Sequence, residues 1–340
     1  MSEIRHDRLH DHYVLIAPER MRRPDTISTN ASSVGNLSCP FCEEHEKMTP
    51  PEIYAIRDNH ANENGWHVRV IPNLYKAVQI ELDNDTKTDG IFKSRPGFGA
   101  HEIVIDTPCH DCHLANLDSV QIGKWLSTIS MRIADLRQDK RLVHISVFKN
   151  HGKNAGATQS HPHTQIIALP VEPQNILRLM EKDFQYYHRH GRGKVEDILE
   201  SERNKKVRII SQKGDFVAFC PFASSFPFEI MIAPVRALST LDDLNRDDIS
   251  NLSELIKETF MRLDVQLGDF DYNLSFNMAP LNSNFENEPC FPHLKKYYRM
   301  TIRIMPRIYK LGGFELSTGM MINPVEPEEA AKLLREVKVK

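Results

Sequence analysis

The chain repeats itself, and that repeat limits its fold more than any other feature. In the first half a strand-like WHVRVIPNLYKAV (66–78) precedes HEIVIDTPCHDCHLANLD (101–118), which carries a second strand and a polar turn. A helix follows at 119–139, where Val120, Ile122, Trp125, Leu126, Ile129, Ile133 and Leu136 recur near helical spacing. The strand VHISVFKN (143–150) then leads into GATQSHPHTQIIALP (156–170). The second half echoes the series with DFVAFCPFASSFPF (215–228), FEIMIAPVRALSTLDD (228–243), an amphipathic helix at 247–267, YNLSFNMAP (272–280) and YYRMTIRIMP (297–306). Strand, strand, helix, strand, strand thus occurs twice. The pattern predicts an α+β chain, two copies of a mostly antiparallel sheet with packed helices, in domains 1–180 and 205–340 joined by a charged segment near 181–208.

The 340 residues suffice for two domains or one duplicated fold. Lys and Arg total 43 against 46 Asp and Glu, a net −3, which offers no electrostatic case for nucleic acid or an anionic membrane. No apolar run reaches the ~18 residues of a membrane helix. The N-terminal stretch is charged and lacks a signal peptide's apolar core. A soluble, cytoplasmic protein is expected.

The cysteines are Cys39, Cys42, Cys109, Cys112, Cys220 and Cys290, and four of them form the pairs CPFC and CHDC. In a reducing compartment that spacing points to metal rather than to disulfides. Four thiolates around zinc is the plain inference.

The two copies differ in chemistry. In an extended strand alternate residues share a face, so His161, His163 and Gln165 line up together. The preceding loop holds Asn150, Gly152, Gly156, Thr158 and Ser160, whose glycine amides and hydroxyls suit a phosphate group. It is not a P-loop, because G-x-x-x-x-G-K-[ST] is missing. Neutral imidazole can act as nucleophile, base or metal ligand, whereas an amide cannot titrate. Where the first copy has HPHTQ the second offers YYRMTIR, so one copy reads as chemically active and the other as structural.

SHPHTQ after a Gly-rich loop, with CPFC upstream, resembles the galactose-1-phosphate uridylyltransferase family, a branch of the histidine triad superfamily. The resemblance extends over nearly the whole chain, through PERMRRPD (18–25), RVIPNLYKAV (69–78), GFGAHEIVIDTP (97–108), VFKNHGKNAGA (147–157), FPFEIMIAP (226–234) and GGFELSTGMMINPVEPEEAAKLLRE (312–336). It implies a duplicated histidine-triad-like fold, with the zinc site and nucleophile in the first domain and hexose contacts in the second.

It also implies a ping-pong nucleotidyl transfer between a nucleotide sugar and a hexose 1-phosphate. His163 would be the nucleophile, and Gln165 would hold phosphoryl oxygens with Asn150, Gly156 and Thr158. Arg20 and Arg23 match arginines that contact phosphate, Asn73 a nucleoside contact, and Lys310, Phe314 and Glu315 the hexose region. For zinc, the resemblance implies Cys39, Cys42, His110 and His161 as a closed structural site, with Cys109, Cys112 and His113 as neighbours or alternative ligands. A homodimer is expected from the family alone, and neither nucleic acid nor membrane is an expected partner.

The chain departs from the family pattern in places. Asn277, Thr301 and Arg303 stand where some members hold a second metal, so that metal is not expected. Leu74 replaces an aspartate of the nucleoside stretch, and Met321 aligns with a glutamine on the hexose side. These changes occur together in a sub-branch that includes ADP-glucose phosphorylase. The leading expectation is a UDP-glucose:hexose-1-phosphate uridylyltransferase of galactose metabolism. The alternatives are a phosphorylase that passes the nucleotide of ADP-glucose to phosphate, and a zinc-containing nucleotide-binding module without catalysis.

Overall fold

The computed structural model describes residues 3–16, 39–282 and 291–339. Arg20, Arg23 and Cys290 lie outside the described residues. Ten strands make the main sheet: β1 (Tyr54–Arg57), β2 (Trp66–Pro72), β3 (Ala100–Ile105), β4 (His144–His151), β5 (His163–Leu169), β6 (Ile209–Lys213), β7 (Phe216–Phe219), β8 (Ile230–Pro234), β9 (Tyr272–Asn277) and β10 (Thr301–Pro306). Their spatial order is β1-β2-β3-β5-β4-β9-β10-β8-β7-β6, antiparallel throughout. Read inward from either edge, the order is the same: first, second, third, fifth, fourth strand of each half. The repeat seen in the sequence is therefore a repeat of topology. The two expected sheets meet edge to edge at β4 and β9, where His151 lies opposite Tyr272 and Asn150 opposite Asn273.

Helices α1 (Ser119–Leu136) and α4 (Arg246–Leu267) occupy equivalent places in the two halves and pack together. Asp118 accepts from the Gln121 amide at the start of α1, and Asn245 and Asp248 form a reciprocal cap on α4. These devices satisfy amide groups that have no partner within the helix. The apolar stripe of α1 puts Ile122, Trp125, Ile129 and Ile133 into one core with Val68, Val104, Val147, Ile166, Leu274 and Ile302 of the sheet. Each such aliphatic side chain stabilises the fold by roughly 1.5–3 kcal/mol through burial.

Alternation then decides which side chains face away from the helices. On β5, Thr164, Ile166 and Ala168 point to the helical side, so His163, Gln165 and Ile167 point to the opposite face. The charged joint at 181–208 is mostly helical, occupied by the end of α2 (Gln174–His190) and by α3 (Lys194–Lys205). The C-terminal segment forms α5 (Gly313–Thr318), a strand Met321–Asn323 that pairs with His12–Ile16, and α6 (Pro327–Glu336) beside α4. Among the described residues, no helix is long and apolar enough to cross a membrane.

Candidate active site

The strand that begins at His163 is held from both faces. On the helical side Lys149 and Asp106, 2% and 1% exposed at their side chains, form an ion pair at 2.7 Å. Lys149 Nζ also donates to the His163 carbonyl at 3.3 Å. Thr164 Oγ1 donates to Asp106 at 2.9 Å, and Trp125 Nε1 donates to that hydroxyl at 3.0 Å. The Asp106 amide donates to the Pro162 carbonyl at 3.1 Å. A buried charge is tolerated only when its remaining bonding capacity is met, and here the partners that meet it are the backbone and the hydroxyl of the H-P-H-T strand.

On the other face lie the imidazoles. His163 Nδ1 is 2.9 Å from the His161 carbonyl oxygen. A carbonyl only accepts, so Nδ1 carries the proton and Nε2 keeps its lone pair. Burial, aided by the Lys149 charge, lowers the His163 pKa below its ordinary value of 6.5. The ring is neutral at neutral pH, the form a nucleophile needs. Phe41, the residue between proline and the second cysteine of CPFC, packs edge-on against both histidines, 5.6 Å from the His163 ring and 6.1 Å from that of His161.

His161, fully buried, donates from Nε2 to the Thr107 carbonyl at 2.8 Å. That leaves Nδ1 bare, 3.6 Å from Cys42 Sγ. His110 Nδ1 lies 3.3 Å from the same sulfur, and its Nε2 lies 3.1 Å from Ser160 Oγ. One ligand atom from each of Cys39, Cys42, His110 and His161 lies within 4.8 Å of the others. Around tetrahedral zinc, sulfur and nitrogen ligands stand about 3.5 Å apart. The donor set, the spacing and the outward bonds that fix both rings fit that ion. Burial and the neighbouring Cys39 raise the Cys42 thiol to about 11, a penalty that a bound cation removes.

The tetrathiolate reading is corrected. Cys109 and Cys112 are joined to each other by a disulfide, which their Cα separation of 5.5 Å permits. They cannot serve as ligands, and the expectation of no disulfide is overturned. His113 sits beside His151 rather than with the four ligands.

Gln165 is oriented by His101, which the sequence reading missed. The Ala77 amide donates to His101 Nδ1 at 3.0 Å, so His101 Nε2 carries the proton and donates to Gln165 Oε1 at 3.0 Å. With its carbonyl end held, Gln165 turns its NH2 end to act as donor. The signal was latent in GFGAHEIVID: His101 shares a face of β3 with Ile103, the residue paired with Gln165. Asn73 lies beside this group, its Oδ1 accepting from the Tyr75 amide at 2.8 Å.

Asn150, the last residue but one of β4, lies on the same face, and its Oδ1 accepts from Asn273 Nδ2 at 2.8 Å. Gly156 and Thr158 lie exposed on the loop that follows. Gly152 starts this loop at φ +80, with Asp271 so close that any Cβ would overlap its carboxylate. Lys310 and Phe314 are exposed on the segment after β10, and Glu315 Oε2 accepts from the Gly312 amide at the start of α5. Among the described residues, no hydrogen bond joins these three to β5.

The model of the galactose-1-phosphate uridyl transferase N-terminal domain matches residues 1–173, and that of the C-terminal domain matches residues 180–340. The chain belongs to this family. It is 33% identical to the ADP-glucose phosphorylase of Arabidopsis thaliana over 98% of this chain and 93% of that one. The identity to a galactose-1-phosphate uridylyltransferase of Thermotoga maritima is 28%, over 100% and 99% of the two chains. A crystal structure of an Arabidopsis thaliana ADP-glucose phosphorylase with bound ADP-glucose superposes with a TM-score of 0.83 at 32% identity, over the whole of both chains. A uridylyltransferase structure superposes at 0.73 with 25% identity, over 98% of this chain and 97% of that one. The fold is thus the duplicated histidine-triad-like arrangement of the family, and the family places the chain among enzymes that are nucleotidyltransferases or phosphorylases.

Proposed function

We propose that this enzyme moves a nucleoside monophosphate out of a nucleotide sugar through a covalent intermediate on His163. The supporting observation is the state of that ring: buried, neutral, with Nδ1–H committed to the His161 carbonyl and Nε2 left as the nucleophilic atom. In the first step the Nε2 lone pair forms a P–N bond to the α-phosphorus, and the bond to the bridging oxygen breaks. Hexose 1-phosphate leaves as a stable anion, so no general acid is required. Gln165 donates to a phosphoryl oxygen without exchanging a proton, and the Asn150–Thr158 loop supplies further donors. In the second step an oxygen of the acceptor attacks phosphorus and the P–N bond breaks. Zinc, when bound by Cys39, Cys42, His110 and His161, would act as a structural tie with no open position. Those four residues fix Phe41 and the H-P-H turn against the nucleophile.

Of the two substrate readings, the adenine-nucleotide phosphorylase now stands ahead of the uridylyltransferase. The relative with 33% identity is an ADP-glucose phosphorylase, and Leu74 and Met321 depart from the uridylyltransferase pattern. Inorganic phosphate would then be the acceptor, and ADP the product. The test is to incubate the enzyme with ADP-glucose or UDP-glucose without acceptor and measure its intact mass. The reading expects an adenylyl adduct, absent in His163→Ala and discharged by phosphate. A uridylyl adduct discharged only by a hexose 1-phosphate would reverse the order, and no adduct from either sugar would end the covalent mechanism.

A further inference from the structure

Two histidines and a carboxylate converge on the helical side of the sheet, across from the nucleophile. His113 lies in the loop between β3 and α1, His151 is the last residue of β4, and Asp269 lies in the turn between α4 and β9. One ligand atom from each lies within 4.8 Å of the others. The His113 and His151 rings meet edge to face with centroids 4.4 Å apart, and His151 stacks on Tyr272 at 5.0 Å.

Three features set this group apart from an ordinary hydrogen-bonded cluster. His113 Nδ1 is buried and has no hydrogen-bond partner among the described residues, an uncommon state for a ring nitrogen with a lone pair or a proton to satisfy. His151 Nε2 and Asp269 Oδ1 are 3.7 Å apart, too far to share a proton but close to the ~3.4 Å between nitrogen and oxygen ligands of one tetrahedral ion. Asp269 is exposed, which gives the group an opening to solvent.

We propose that His113, His151 and Asp269 form a second cation site, for a divalent first-row transition metal, separate from the cysteine-containing site. Two imidazoles and one carboxylate suit Zn2+ or a neighbour in that series better than Ca2+ or Mg2+. Burial lowers the pKa of both histidines, that of His151 to about 4, so both offer lone pairs at neutral pH. The carboxylates of Asp264 and Asp111 also act on His113, and that of Asp271 on His151. The positive charge of Lys149, on the same side of the sheet, opposes them. Three protein ligands leave a position for water.

Occupancy would tie the loop before α1 and the α4–β9 turn to the end of β4, the point from which the Gly152 loop departs. The site thus bridges the first half of the chain and the second on the face opposite the chemistry.

Titration of the protein as purified with Zn2+, followed by calorimetry, tests the site, with Co2+ spectra as a second readout. One equivalent beyond that carried by the cysteine site is expected in the wild type. The matching Co2+ equivalent should add no sulfur-to-metal charge-transfer band, because no thiolate contributes. His113→Ala, and independently the exposed and fold-neutral Asp269→Asn, should weaken this equivalent roughly tenfold or more, at least what the loss of an outer-sphere partner costs. A wild type that binds no further equivalent overturns the proposal. So does an equivalent that both variants bind as tightly as the wild type, or one whose Co2+ form carries the thiolate band.

Discussion

Replacing Lys149 by Met tests whether the strand under the nucleophile is anchored electrostatically. At 2.7 Å and an effective dielectric near 20, the attraction between Lys149 and Asp106 is about 6 kcal/mol, much of which offsets the desolvation of both ions. Lys149→Met removes the attraction and leaves a carboxylate buried at 1% exposure, so a loss of about 3–5 kcal/mol is expected. The double variant Lys149→Met/Asp106→Leu leaves no orphaned charge. It should recover at least about 2 kcal/mol of that loss, although Thr164 Oγ1 then lacks its acceptor. Urea unfolding, read as a change in midpoint at constant slope, measures both quantities. Activity should separate from stability: the recovered double variant still lacks the bond from Lys149 Nζ to the His163 carbonyl. Its rate of forming the nucleotidyl-enzyme should fall about ten- to a hundredfold, the cost of a small misplacement of a reacting group. A Lys149→Met protein within about 1 kcal/mol of wild type would show that the pair anchors nothing. A double variant that reacts at the wild-type rate would show that the network supports folding and does not aim the ring.

The remaining predictions concern the ring, the metal and the loop. Because burial holds the His163 pKa below 6.5, the midpoint at which enzyme labelling falls off as pH drops should lie below 6.5; stopped reactions over a pH series that place the midpoint at or above 6.5 would refute the neutral-ring argument. Cys42→Ser, or removal of metal by a chelator, should lower the melting temperature and slow labelling together, since Phe41 and His161 share both tasks; a protein that loses its zinc yet labels at the full rate would separate the site from the chemistry. Gly152→Ala should destabilise by more than ~1 kcal/mol, because its positive φ and the overlapping Asp271 carboxylate both oppose a Cβ; differential scanning fluorimetry showing no change would refute that close approach.

What the sequence disclosed was whatever repeats or clusters locally. The two series of strands and helices carry their own periodicity, and strand alternation puts His163 and Gln165 of H-P-H-T-Q on one face, with His161 just ahead of the strand. The group Cys39, Cys42, His110 and His161 followed from family resemblance, since spacing by itself favoured four cysteines. The turn brings Cys109 to Cys112 instead, a matter of backbone path rather than composition. Lys149 looked like any strand lysine; only its burial opposite Asp106, 43 positions away, makes it unusual. His101 and Phe41 escaped notice for a similar reason. Their roles depend on which strand or loop lies beside β5, and that is settled by tertiary pairing.

The second half does not repeat H-P-H-T-Q, yet the geometry gives it a share in the site. Its strand β9 closes the edge of β4, so the first half alone would end in an unpaired strand bearing Asn150. Asn273 of β9 holds Asn150 through one bond and the Ala155 carbonyl through another at 2.9 Å, while Asp271 accepts from the Asn154 amide at 2.7 Å. The loop proposed to cradle phosphate is thus shaped by residues contributed after the repeat. At the opposite end of the same strand, Asn277 donates to Thr301, and Arg303 pairs with the buried Glu229. There a guanidinium neutralised by an internal carboxylate stands as a structural ion pair. One copy of the fold carries the imidazole proposed to react, and the other forms the wall against which its loop is set.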